Sequence, residues 1–159
     1  MKDLKSLLKT IPYPLALLTA RRGDEINGMP VSWFTQVSSM PPMIQVAVKT
    51  VRYTHDMILG TGRFALVFLS EDQKDVIPGF KTGGEDRSKK FEGFAVSQSS
   101  AGLPVLDDAV GWMDCRVVSM TRPGDHTLFV AEITDAKLIN EGEPLTCAHL
   151  GKDYHYGIN

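Results

Sequence analysis

Hydrophobic residues fall in short runs bounded by glycine, proline or charged residues, a pattern that predicts strands rather than long amphipathic helices. Leu15 to Ala20 is apolar and stops at the turn signal Arg21, Arg22, Gly23, Asp24, after which a strand is predicted from Asn27 to Ser39; the pair reads as a hairpin. Met43 to Lys49 (MIQVAVK) and Arg63 to Leu69 (RFALVFL) predict two further strands. Trp112 to Met120 and Thr127 to Ile139 predict a second hairpin around Arg122, Pro123, Gly124 and Asp125. Within it Met113, Cys115 and Val117 alternate with Asp114 and Arg116, as a half-exposed strand requires.

Two stretches depart from this pattern. Arg52 to Leu59 lacks alternation and carries Thr54 as an N-cap and Asp56 in the first turn, so a short helix is predicted before Gly60 and Gly62 stop it. Ser70 followed three residues later by Gln73 is a capping-box pattern, predicting a second short helix toward Ile77 that Pro78 and Gly79 end. Lys81 to Lys90, KTGGEDRSKK, is the most polar segment and predicts a mobile loop. Strands at this spacing with two short helices imply a mainly β fold, a small barrel decorated by helices.

The Asn27 to Pro42 stretch, NGMPVSWFTQVSSMPP, mixes the strand formers Val31, Phe34 and Val37 with polar Ser32, Thr35, Gln36, Ser38 and Ser39, and Pro41 with Pro42 forces a turn. Its polar and apolar residues do not alternate cleanly, so both faces are expected to meet something: protein on one and a ligand on the other. Lys49, Arg52 and Thr54 lie between a strand and a predicted helix start, where free backbone N–H groups and the helix dipole favour a phosphate anion. Taken alone, the same residues read better as a helix cap, Thr54, and two solvated surface charges, Lys49 and Arg52.

At 159 residues the chain suits one domain, 1–159, long enough to close a core without disulfides or metal. A formal net charge of −2 makes no case for nucleic acid, and no basic run is long enough for a membrane patch, so the partner implied is a small molecule. Cys115 and Cys147 form no CxxC pair, which argues against a disulfide scaffold or a zinc site and fits a reducing, cytoplasmic setting. The opening MKDLKSLLKTIPYP breaks its apolar residues with charges and prolines and offers no signal-peptide core, and no later run approaches the roughly 18 residues of a membrane span. No GxGxxG follows a strand, Gly79 to Gly84 lacks the Walker ending, and neither GxSxG nor HExxH occurs. His55, His126, His149 and His155 are scattered, which leaves metal hydrolysis unsupported; reactivity is expected from a bound cofactor.

Four spaced segments in order carry a more specific signal: the Asn27 to Ser39 strand with Pro41 and Pro42; Arg52, Tyr53, Thr54, His55; Lys90, Phe91, Glu92, Gly93; and Gly124, Asp125, His126, Thr127, Leu128, Phe129. With them the chain resembles the flavin reductase-like, FMN-binding split-barrel family from about Pro12 to about Tyr156, and within it the flavoredoxin-like flavoproteins. The resemblance implies an antiparallel split barrel that forms a homodimer and holds flavin near the subunit interface, FMN rather than FAD.

The resemblance also implies site residues. Arg52 and Thr54, with Lys49, would hold the flavin phosphate. Asn27, Ser32, Trp33, Thr35 and Gln36 would border the isoalloxazine ring, with Trp33 giving an apolar surface beside it. Lys90 would approach the pyrimidine edge, where charge accumulates on reduction, and His126 would lie close to the ring. The chain ends at Asn159, where some relatives continue, so a more open flavin site is expected, with Tyr154 or Tyr156, of which Tyr154 is taken as the site residue, supplying the aromatic that packs near the flavin in some relatives. The implied activity is an NAD(P)H-dependent flavin reductase, with no dedicated catalytic acid or base; the alternative is an FMN-carrying electron-transfer protein that shuttles between redox protein partners.

Overall fold

The computed structural model describes residues 2–81 and 87–151. A short helix, α1 (Lys2–Leu8), precedes strands β1 (Ala16–Arg22), β2 (Glu25–Val31), β3 (Phe34–Ser39) and β4 (Pro42–Lys49). Helix α2 (Tyr53–Thr61), strand β5 (Arg63–Phe68) and helix α3 (Ile77–Lys81) follow, then the short pair β6 (Val96–Gln98) and β7 (Pro104–Leu106) and the long hairpin β8 (Gly111–Thr121) and β9 (His126–Leu138). Turns of 3-10 helix cover Glu71–Val76, Arg87–Phe91 and Cys147–Leu150.

Seven strands form one antiparallel sheet in the order β2-β1-β5-β8-β9-β4-β3. Strands β2 and β3 occupy its opposite edges, yet only Ser32 and Trp33 separate them in the chain. A flat sheet cannot satisfy both conditions, so the sheet rolls into a barrel left open between those edges. This is the antiparallel split barrel that the sequence implied, with one correction: the predicted Asn27 to Ser39 strand is two strands, broken at Ser32 and Trp33 where the chain crosses the split.

Burial follows the pleat. Leu15, just before β1, and Leu17 join one core cluster with Val67, Phe80, Phe91 and Trp112, while Ala16, Leu18 and Ala20 of β1 join a second with Val46, Val48, Phe64 and Phe129. Strand β1 is thus covered on both faces, and its buried residues Ala16 to Ala20 are apolar except for Thr19. Strand β4 differs: Ile44, Val46 and Val48 are buried, whereas Gln45, Ala47 and Lys49 point to the outer, half-open face.

The helix predictions need three adjustments. The N-cap of α2 is Arg52, in extended conformation, and Thr54 is a buried helical residue instead of the cap. The helix passes through Gly60 and stops at Gly62, whose φ of 66° is the left-handed conformation that glycine adopts without a Cβ clash. The Ser70–Gln73 capping box forms, the Ser70 backbone N–H donating to Gln73 Oε1 at 3.0 Å, but it opens a 3-10 turn. Pro78 and Gly79 lie inside α3 and do not end it, because proline is tolerated in a first helical turn, where its missing N–H is not needed. Of the predicted Lys81 to Lys90 loop, Arg87 onward is helical turn, and residues 82–86 lie outside the described residues.

Candidate functional site

Register builds the first half of the site. Thr35 pairs with Gln45, Ala47 with Leu128, and Lys49 with His126, so these side chains share the outer face of β3, β4 and β9. A cleft of about 530 Å³ opens over this face, lined by Ser32, Trp33, Phe34, Thr35, Gln45, Ala47 and Leu128 and walled by Ile11 to Pro14. The Ala47 N–H donates to the Trp33 carbonyl at 2.8 Å and fixes the crossover against β4. The Trp33 ring lies 4.7 Å from the His126 ring at an interplanar angle of 35°. Phe34 turns the other way, packing against the barrel core with its ring edge-on to Phe68.

The polar end of this face is ordered by Asp125. His126 Nδ1 donates to Asp125 Oδ1 at 2.6 Å, and Lys49 Nζ stands 3.8 Å from Oδ2. The hydrogen bond from His126, with the charge of Lys49, holds the Asp125 carboxyl below the usual carboxylate range.

The second half is the start of α2. Arg52 makes no side-chain cap hydrogen bond, and although the His55 N–H donates to the Arg52 carbonyl at 2.9 Å, the helix start keeps the partial positive charge of its dipole. Asn27 Nδ2 donates to Thr54 Oγ1 at 2.9 Å, and both residues are buried, tying β2 to the helix. Lys90 Nζ donates to the Gly28 carbonyl at 3.0 Å. Burial first, then Arg87 and Arg52, push the Lys90 pKa below that of an ordinary lysine, so three cations converge here. Arg87 is held in turn: its guanidinium carbon sits 3.5 Å from the Tyr53 ring centroid.

The candidate residues therefore fall into two groups. Ser32, Trp33 and Thr35 line the cleft, with Lys49 and His126 at its polar end. Asn27, Arg52, Thr54 and Lys90 gather at the start of α2. Lys49 and Arg52 join the groups, since the Arg52 N–H donates to the Lys49 carbonyl at 3.0 Å. Gln36 joins neither: it pairs with inward-facing Ile44, and its amide donates to the Ser38 carbonyl at 3.2 Å. Tyr154 and Tyr156 lie outside the described residues. His55 is a core histidine, bonded through Nε2 to Thr127 Oγ1 at 2.8 Å and packed on Phe129.

Sequence reasoning missed Arg87, Tyr53 and the outer-face Gln45 and Ala47. The alternation of MIQVAVK carried a signal for the last two; nothing local connects Arg87 with Tyr53. Among the described residues no three His, Cys, Asp or Glu side chains are grouped to hold a metal, and no helix is long and apolar enough to cross a membrane.

Comparison with known proteins adds to this geometry. The family described as flavin reductase like domain matches residues 8–156. The high molecular weight rubredoxin of Moorella thermoacetica is 34% identical over 151 residues, an overlap of 92% of this chain and 65% of that protein. The NADH-dependent flavin reductase StyB of Pseudomonas fluorescens is 32% identical over 142 residues, covering 89% of this chain and 81% of that protein. Among solved structures, the styrene monooxygenase flavin reductase of Pseudomonas putida S12 superposes with a TM-score of 0.78 at 30% identity, covering 91% of each chain.

Proposed function

Because the chain belongs to the flavin reductase-like family, we propose that residues 1–159 form one FMN-binding domain that acts as an NAD(P)H-dependent flavin reductase. The observation that carries this reading is the junction of a broad, partly apolar cleft with a helix start surrounded by cations. A cleft of about 530 Å³ falls in the size range of small-molecule sites and has room for a three-ring flavin over Ala47 and Leu128, with Trp33 and His126 at its side. The phosphate suits the N–H groups of α2 with Arg52, Arg87 and Lys90 around them, because an anion there satisfies both the helix dipole and the converging positive charge. In this reading Lys90 serves the phosphate end in place of the pyrimidine edge. Thr54 acts indirectly, fixing Asn27 and the helix start.

Bound flavin supplies the redox chemistry, accepting hydride from reduced nicotinamide and passing electrons onward. The protein's own part is placement. Trp33 and His126 bound the ring site, and Asp125 orients His126. Free, buried Cys115 and Cys147 support a cytoplasmic, reducing compartment; burial, helped by Asp114, pushes the Cys115 thiol up to about 12, leaving it unreactive.

A second reading, electron transfer to a protein partner without nicotinamide oxidation, is favoured by the Moorella relative, which is named a rubredoxin and extends beyond the region shared with this chain. Anaerobic titration of the FMN-loaded protein with NADH and NADPH separates the two. Bleaching of the flavin absorbance is expected with at least one of them, and failure with both leaves only the carrier. In the same preparation Arg52→Ala is expected to weaken FMN binding about tenfold, the loss of one charge-assisted contact. An unchanged dissociation constant would remove Arg52 from the site.

A further inference from the structure

Strand β4 turns Met43, Gln45, Ala47 and Lys49 to the outer face, all of them half-buried. On that face Gln45 stands between Thr35 of β3 and Val130 of β9, and it lines the cleft together with Ala47, Leu128 and Trp33. The Thr35 hydroxyl is directed elsewhere, to the Gln36 carbonyl at 3.4 Å. Among the described residues the Gln45 carboxamide has no hydrogen-bond partner. A polar side chain on a solvated sheet face needs none but water. Here the face is walled by Ile11 to Pro14, and a flat ring laid over Ala47 and Leu128 covers Gln45 as well. A covered amide loses its water and must find a partner on the ligand, or its desolvation opposes binding.

In the flavin reading the phosphate lies past Lys49, at the start of α2, and successive outward residues of a strand are about 7 Å apart. A ring over Ala47 then has its ribityl substituent toward Lys49 and its opposite edge toward Gln45. That edge of a flavin carries N5 and the C4 carbonyl, both acceptors in the oxidised ring, and the carbonyl oxygen reaches furthest from it. A carboxamide supplies the matching N–H donor without placing a charge beside the ring. We propose that the Gln45 carboxamide donates to the C4 carbonyl of the bound flavin, which makes Gln45 a specificity-determining residue for ring systems with an acceptor on that edge. The proposal rests on the flavin reading and adds to it a contact with the ring, separate from every contact with the phosphate.

The test compares dissociation constants for FMN and riboflavin, read by flavin fluorescence, in the wild-type protein, Gln45→Met and Gln45→Glu. Gln45→Met keeps the length of the side chain and removes its hydrogen bonds, and Gln45→Glu, ionised at about pH 8, keeps the shape and removes the donor. Each is expected to weaken both flavins about fivefold, with the ratio of FMN to riboflavin affinity held within about twofold, since the lost contact is to the ring. In Gln45→Met the infrared band of the C4 carbonyl of bound FMN is expected at higher wavenumber than in wild type, the signature of a lost hydrogen bond. Unchanged affinities in Gln45→Met, an unmoved carbonyl band, or a loss confined to FMN would overturn the contact, while FMN binding by the wild type would leave the flavin reading standing. A wild-type protein that binds neither flavin would remove the reading and the contact together.

Discussion

Lys90 is half-buried with its ammonium on the Gly28 carbonyl, and burial, Arg87 and Arg52 all favour its neutral form. A phosphate beside it would favour the charged form, so binding raises a pKa that burial, Arg87 and Arg52 lower from 10.5. The sign of the linkage follows: binding takes up a proton between the lowered pKa and the raised one. FMN affinity is therefore full below the lowered pKa and is expected to fall as pH rises through it, ahead of an ordinary lysine. FMN titrations from about pH 7 to about pH 10 check this, with Lys90→Met weaker but flatter across the same interval. Parallel profiles would separate Lys90 from the phosphate. Trp33 and Phe34 show how much one position matters at this scale: adjacent aromatics point to opposite faces, one toward the cleft and His126, the other into the core.

Between elements, β2 is the strand that joins the start of α2 to α3 and the Arg87–Phe91 turn. Helix α3 and the Arg87–Phe91 turn pack their rings on Gly28, where an added Cβ would lie 2.9 Å from Phe80 Cδ1 and 3.3 Å from Phe91 Cζ. Both rings are buried and meet edge to face at 5.1 Å, so neither can swing aside as a flexible chain end would. Gly28→Ala is expected to displace the turn that carries Lys90, destabilising the protein by about 1–3 kcal/mol in urea unfolding and weakening FMN binding in parallel. An unmoved unfolding midpoint would show that the rings yield freely. The Asn27–Thr54 bond acts at the same junction, linking the next residue of β2 to α2.

For the whole molecule, the split barrel leaves β3 at a sheet edge, with Val37 46% and Met40 92% exposed, and Val118 and Met120 exposed on the β8–β9 hairpin. Open strand edges and apolar residues at the surface invite pairing, and a two-fold dimer covers both with one set of contacts. We expect a homodimer, checked by light scattering of the FMN-loaded protein at micromolar concentration. A monomer there would contradict it, and Met40→Glu is expected to weaken the dimer without altering the fold.

What the sequence determined by itself were the features governed by near neighbours: strand runs from Leu15 to Ala20, Met43 to Lys49 and Arg63 to Leu69, the turn before His126, and the Ser70–Gln73 capping box. Propensity, alternation and capping depend on residues a few positions apart, so they are legible in one dimension. The split-barrel reading came from motif resemblance, and the edge positions of β2 and β3 supplied its physical reason. Only the tertiary structure broke the Asn27 to Ser39 strand, because barrel closure demands a crossover that no local signal marks. It also turned Gln36 away from Thr35, made Thr54 a buried tie in place of a cap, and brought Arg87 over Tyr53. Each outcome depends on pairing between distant positions, Lys49 with His126 or Asn27 with Thr54, and the free energy that decides such pairings arises only when the chain has closed around its core.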